Sequence, residues 1–125
     1  MAGTNNVDDI ASGKSSYDKV NQSLSDLFYY VWSKFSNAKI FIINILPREN
    51  YNKNCVVLKL NNYIGNLCKC HGMVFVDTEI RNLFSNQSSI RDNRFFSNGY
   101  DNVHLNTTGY TRLAKYLKYL SHSYC

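Results

Sequence analysis

Apolar positions recur along the chain at two different periods. Tyr17, Val20, Leu24, Leu27, Phe28, Val31 and Phe35 follow one another at three- and four-residue spacings, which predicts an amphipathic helix from about Tyr17 to about Phe35. Trp32 widens its apolar face. Ser15-x-x-Asp18 resembles a capping box at its start. After Ser36-Asn37-Ala38 the pattern becomes a nearly continuous apolar run, Lys39-Ile40-Phe41-Ile42-Ile43-Asn44-Ile45-Leu46, which stops at Pro47. A short β-branched run without alternation predicts a strand buried on both faces, as in a parallel sheet.

A second helix is predicted over Asn52 to Cys70, where Val56, Val57, Leu60, Ile64, Leu67 and Cys68 share a face. Gly65 weakens it, and His71-Gly72 supplies a stop. Met73 to Thr78 reads as another buried strand. Glu79 to Gly99 is polar and irregular, anchored by Phe84, Phe95 and Phe96, with a short helix expected near Ile80–Leu83. The last helix carries Tyr110, Leu113, Leu117 and Leu120, with Asn106, Thr107 and Thr108 as candidate caps. At the other end, Met1-Ala2 reads as the tail of a strand, Gly3 to Asn6 as the loop after it, and Val7 to Lys14 as further loop. Strands alternating with helices predict an α/β layer with a parallel sheet. In such sheets ligands gather beyond the C-terminal strand ends.

Two polar blocks flank this pattern. Near the end stands Asp101-x-Val103-His104-Leu105-Asn106-x-x-Gly109-Tyr110, an acid and a histidine on a short loop that feeds a helix. At the front stands Ala2-Gly3-Thr4-Asn5-Asn6. Together they resemble the last block and the Gly-x-Asn-Asp block of the SGNH hydrolases, the GDSL-type esterases. The resemblance covers the C-terminal part of a family domain. It implies a single partial domain over residues 1–125, with the family's three-layer α/β/α, flavodoxin-like parallel sheet, N-terminally truncated.

It also implies a site. His104 would act as general base and Asp101 would orient it, as in a serine triad. Asn5, with Gly3 in the same turn, would bind the oxyanion, a contribution of roughly 3 kcal/mol per donor. The implied reaction is hydrolysis of an acyl or acetyl ester, with no metal or organic cofactor. The family's Gly-Asp-Ser block, which carries the nucleophile, occurs nowhere in the sequence. Ser12, Ser15 and Ser16 lie on the wrong side of the Gly3–Asn6 block to replace it, and the oxyanion glycine of a further block is also missing. Asn6 stands where the family usually has Asp. The chain alone is therefore expected to be inactive, with an unpaired sheet edge and uncovered apolar faces that make it unstable or partner-dependent. The alternative is a non-catalytic SGNH-like module of retroelement origin that binds RNA or lipid.

The remaining features change this picture little. Among 125 residues the net charge is +5, without a run of like charge, so charge alone marks no nucleic-acid interface. Cys55, Cys68, Cys70 and Cys125 lack the second ligand pair of a zinc site, and Cys68-Lys69-Cys70-His71 reads as a helix end with one thiol packed inward. No signal peptide or membrane span is visible, which points to a reducing, cytoplasmic compartment. The sequons at Asn21, Asn86 and Asn106 then carry no glycan. Asp77 reads as a strand-end turn former. Arg48 either lines the entrance of a site or is an exposed charge.

Overall fold

The computed structural model describes residues 3–86, 90–98 and 103–123. It is a small mixed α/β protein, with helices α1 (Thr4–Ala11), α2 (Tyr17–Lys34), α3 (Tyr51–His71) and α4 (Thr107–Ser123), and strands β1 (Phe41–Ile43) and β2 (Val74–Val76). The chain divides into two compact units, residues 1–77 and 78–125.

The first unit is built on β1–α3–β2. The two strands pair in parallel, with Phe41 beside Val74, Ile42 beside Phe75 and Ile43 beside Val76. Beneath them lies a core of Val7, Val20, Phe28, Ile45, Val56, Val57, Leu60, Ile64, Cys68 and Met73. The face predicted for α3 is thus the face that is buried. Gly72 ends α3 in the left-handed conformation, φ 66°, as the His71-Gly72 stop predicts.

The expected strand over Lys39 to Leu46 is only partly formed, and α3 supplies the reason. The Asn61 side chain accepts from Ile45 N at 2.8 Å and donates to Ile45 O at 2.9 Å. One turn pair earlier, Asn54 accepts from Arg48 N at 2.6 Å and donates to Arg48 O at 2.8 Å. Each carboxamide serves one residue as a neighbouring strand would. Asn44 N still donates to Val76 O of β2 at 3.1 Å, but at Ile45 and Arg48 the backbone is satisfied by a helix rather than by a ladder. Asn54 and Asn61 are seven apart, two turns of helix, so both point the same way.

Burial also departs from expectation. Ile42 packs against the core, whereas Phe41 and Ile43 remain 38% and 37% exposed. The strand has one covered face, not two, and its side chains alternate with the period of two that a strand imposes.

At the front, the expected loop is a helix. Gly3 at φ 96° precedes α1, and Val7 N donates to Gly3 O at 3.2 Å. Val7 is fully buried and Thr4 nearly so, and Ile10 packs against the core. A side chain at position 3 would meet Ile45 Cδ1 at 2.8 Å, so Gly3 is required both by its φ and by its neighbour. The cap of α2 moves by one residue: Ser16, not Ser15, accepts from Lys19 N at 3.3 Å. The strand expected at Met1-Ala2 lies outside the described residues.

Gly65, expected to weaken the second helix, lies inside an unbroken α3. A Cβ there would lie 3.6 Å from the Phe75 ring, ordinary contact. Gly65→Ala should stabilise the first unit by about 0.5–1 kcal/mol through helix propensity. Urea denaturation would measure it, and a loss of stability would show that α3 cannot accept a methyl group at that contact.

The second unit packs around Phe84, which is fully buried. Phe95 and Phe96 meet it edge-on, with ring centroids 6.0 and 6.1 Å away. These are the three aromatic anchors expected from the sequence. Arg91 lies over the Phe96 ring at 4.2 Å. The helix expected near Ile80–Leu83 is replaced by turns, with Asn82 at φ 50° and Leu83 N donating to Thr78 O at 3.0 Å. The Ser85 hydroxyl donates to the Glu79 carboxylate. A 3₁₀ turn instead forms at Asn93–Phe95, capped by Asp92, whose side chain accepts from Arg94 N.

Candidate functional site

The loop that enters α4 is held from several directions. Phe96 and Leu105 form an isolated antiparallel bridge, and Leu105 is 3% exposed. Ser97 donates to the His104 carbonyl twice, from N at 2.9 Å and from Oγ at 3.1 Å. Asn106 is the cap chosen among the three candidates. Its Oδ1 accepts from Gly109 N at 2.9 Å, and its Nδ2 donates to Arg94 O at 2.8 Å and Phe96 O at 3.1 Å. Gly109 lies so close to the preceding turn that an added Cβ would stand 2.2 Å from Phe95 O.

Three positions of the motif therefore have structural work. Leu105 anchors the loop in the core, Asn106 caps the helix and clamps the preceding turn, and Gly109 permits close approach. Together they fix the backbone of His104, which is partly buried just before the helix. A histidine on a pinned backbone suits a base that must meet its substrate in one geometry. Asp101, its expected partner, lies outside the described residues.

The front block has a different setting from the one expected. Gly3 and Asn5 do not sit on a strand-end loop; Gly3 is the cap of α1 and Asn5 is exposed in its first turn. Asn5 belongs to the first unit and His104 to the second.

The main surprise is Arg48, which neither lines an entrance nor faces solvent. Its side chain is 2% exposed. Nε and Nη2 donate to the two oxygens of Glu49 at 2.9 and 3.2 Å, Nη2 also donates to Asp8 Oδ1 at 2.8 Å, and Nη1 donates to Thr4 O at 3.0 Å. Lys53 joins both carboxylates, 3.1 Å from Asp8 and 2.8 Å from Glu49. Burial pushes the Glu49 carboxyl up, but hydrogen bonds from Arg48 and Lys53 outweigh it and hold the group at about 2. Asp8 is likewise held below its usual value against burial, by the same two cations. Every direction of the Arg48 fork is engaged by protein, so this cluster is a clamp joining α1 to the β1–α3 connection and leaves no donor for a ligand. Glu49 and Lys53 at i,i+4 were a visible signal; Asp8, forty positions from Arg48, was not.

Cys68 is buried, whereas Cys55 is half-buried and Cys70 exposed. Burial raises the Cys68 thiol to about 11, which keeps it protonated and unreactive, in keeping with a thiol packed inward. Among the described residues no group of His, Cys, Asp and Glu is arranged to hold a metal ion, and no helix is long and apolar enough to cross a membrane. Comparison of the chain with protein-family models, with curated proteins and with solved structures found no match.

Proposed function

We propose that the chain is an SGNH-type ester hydrolase domain in which His104 is the general base and Asp101 its orienting acid, within a three-layer α/β/α architecture. What carries this reading is the pinned loop before α4: the motif residues Leu105, Asn106 and Gly109 each hold the backbone that presents His104. The β1–α3–β2 unit supports it as the repeat from which doubly wound sheets are built. The reaction class is acyl transfer to water from an acyl or acetyl ester, and the chemistry calls on no metal or organic cofactor.

A serine in the Gly-Asp-Ser setting is needed for that reaction, and the sequence contains none. On its own, the chain should give no labelling with a fluorophosphonate probe. The acid–base couple can be tested without turnover. Nitrogen NMR of the His104 ring should show the neutral tautomer with its proton on Nδ1, leaving Nε2 bare to accept from a hydroxyl. Asp101→Ala should abolish that preference. A proton on Nε2 in the unaltered chain, or a tautomer indifferent to Asp101→Ala, would sink the assignment.

A further inference from the structure

Charge in the first unit is segregated along the chain. From Leu27 to Val76 the only acid is Glu49, and Arg48 and Lys53 engage it. The last two turns of α2 and the end of α3 thus carry no carboxylate, and Asp26, one turn before Tyr29 and Tyr30, is the nearest on α2. The end of α2 is also aromatic. Tyr29, Tyr30, Trp32 and Phe35 are 61%, 55%, 44% and 49% exposed along the end of α2, where the amphipathic pattern alone would have buried Trp32 and Phe35.

The rings are ordered rather than scattered. Tyr29 and Trp32 lie 5.9 Å apart between centroids, and Trp32 and His71 of α3 lie 5.7 Å apart. Phe28, 5% exposed, sits against the same His71 at 6.4 Å and ties the row to the core. On the neighbouring flank Lys34 Nζ lies 5.4 Å from the Tyr30 ring and 5.9 Å from the Phe35 ring. Lys34, Lys39 and Lys69 are exposed.

We propose that this face of α2, with His71 at the end of α3, is a stacking surface for single-stranded nucleic acid. Exposed rings offer sequence-tolerant platforms for unpaired bases, and lysines between and beside them neutralise phosphates. A membrane fits less well. Leu27 is the one exposed large aliphatic side chain on α2, and Ser33, Ser36 and Asn37 interrupt the apolar surface, whereas interfacial helices present a continuous apolar face. The proposal uses only the first unit and does not depend on the assignment of His104.

Trp32 is the only tryptophan in the sequence, so its emission reports on this surface alone. Titrating the whole chain with a 12-nucleotide oligouridylate should quench that emission. The affinity should fall roughly tenfold between 50 and 200 mM salt if about two or three phosphates are neutralised. Tyr29→Ala should weaken binding about tenfold, as expected for one lost stacking partner. Its unchanged thermal midpoint would show that the loss is not one of folding. Three outcomes would overturn the proposal: no quenching, undiminished binding by Tyr29→Ala, or heparin matching the oligonucleotide in affinity. Insertion of Trp32 into phosphatidylserine vesicles, seen as a blue shift without any response to the oligonucleotide, would assign the face to lipid instead.

Discussion

Replacing Arg48 by alanine is expected to cost the first unit about 3 kcal/mol, near the low end of what breaking a buried ion pair costs. The guanidinium is 2% exposed and meets two carboxylates and the Thr4 carbonyl. Removing it leaves a void and an unpaired acceptor on Thr4, itself 5% exposed. Two features keep the loss from being larger. Asp8 is 40% exposed, so water can solvate it, and Lys53 remains beside both carboxylates. For a unit of this size the midpoint should drop by roughly 12–24 °C. Arg48→Lys should recover only part of this, because one ammonium cannot span both Glu49 oxygens, Asp8 and Thr4. A loss below about 1 kcal/mol would place the cluster with surface ion pairs.

The same cluster sets a pH dependence whose sign follows from its carboxylates. Glu49 falls from 4.5 to about 2 on folding, and Asp8 also moves down. The folded chain therefore binds fewer protons than the unfolded chain in this range. The contribution is fully present above about pH 4.5 and is lost as pH falls from there toward 2. Acid titration of stability should show this slope in the unaltered chain and a flatter one in Arg48→Ala. Parallel profiles in the two proteins would separate the slope from the clamp.

These interactions also mark what could be read from the sequence. Helices α2, α3 and α4 were legible because each carries apolar residues at helical spacing, although only α3 buries most of its stripe; Leu113, Leu117 and Leu120 of α4 are half-buried and Tyr110 is exposed. The Gly72 stop and the Asn106 cap were legible because their chemistry is local. Helix α1 was hidden, since it is held by Val7 and by the distant Arg48, which meets Thr4 and Asp8, and neither sets an apolar period. The length of β1 was hidden too. An apolar run signals burial, but it cannot show that Asn61, sixteen residues on, will take the place of a strand neighbour for Ile45. Arg48 was misplaced for a related reason: a lone arginine after Pro47 reads as solvent-facing unless Asp8 is known to stand beside it. At the candidate site, the loop preceding α4 was foreseen as a short segment feeding a helix. The structural duties of Gly109 and Asn106 depend on Phe95 and Phe96, which lie before the loop and carry no motif of their own.

Gly109→Ala provides the sharpest test of that loop, because two effects of opposite sign compete at one atom. In an exposed helix the change would add about 1 kcal/mol of stability through propensity. Here the new methyl would stand 2.2 Å from Phe95 O and 2.8 Å from Leu105 Cδ2. Phe95 O cannot easily retreat, since it accepts from Asn106 N at 2.9 Å, and Leu105 is buried at 3% exposure. Overpacking against a flexible side chain costs about 1–3 kcal/mol; against a hydrogen-bonded carbonyl the upper end applies. The net expectation is a loss of about 2 kcal/mol, visible in thermal unfolding and as weakened near-ultraviolet dichroism from the Phe84–Phe95–Phe96 cluster. Gly65→Ala is the matched control, the same substitution in a helix where the nearest atoms are 3.6 Å away, and its effect should have the opposite sign. If G109A proves as stabilising as G65A, the first turn of α4 does not press against Phe95, and the loop that holds His104 has lost its principal support.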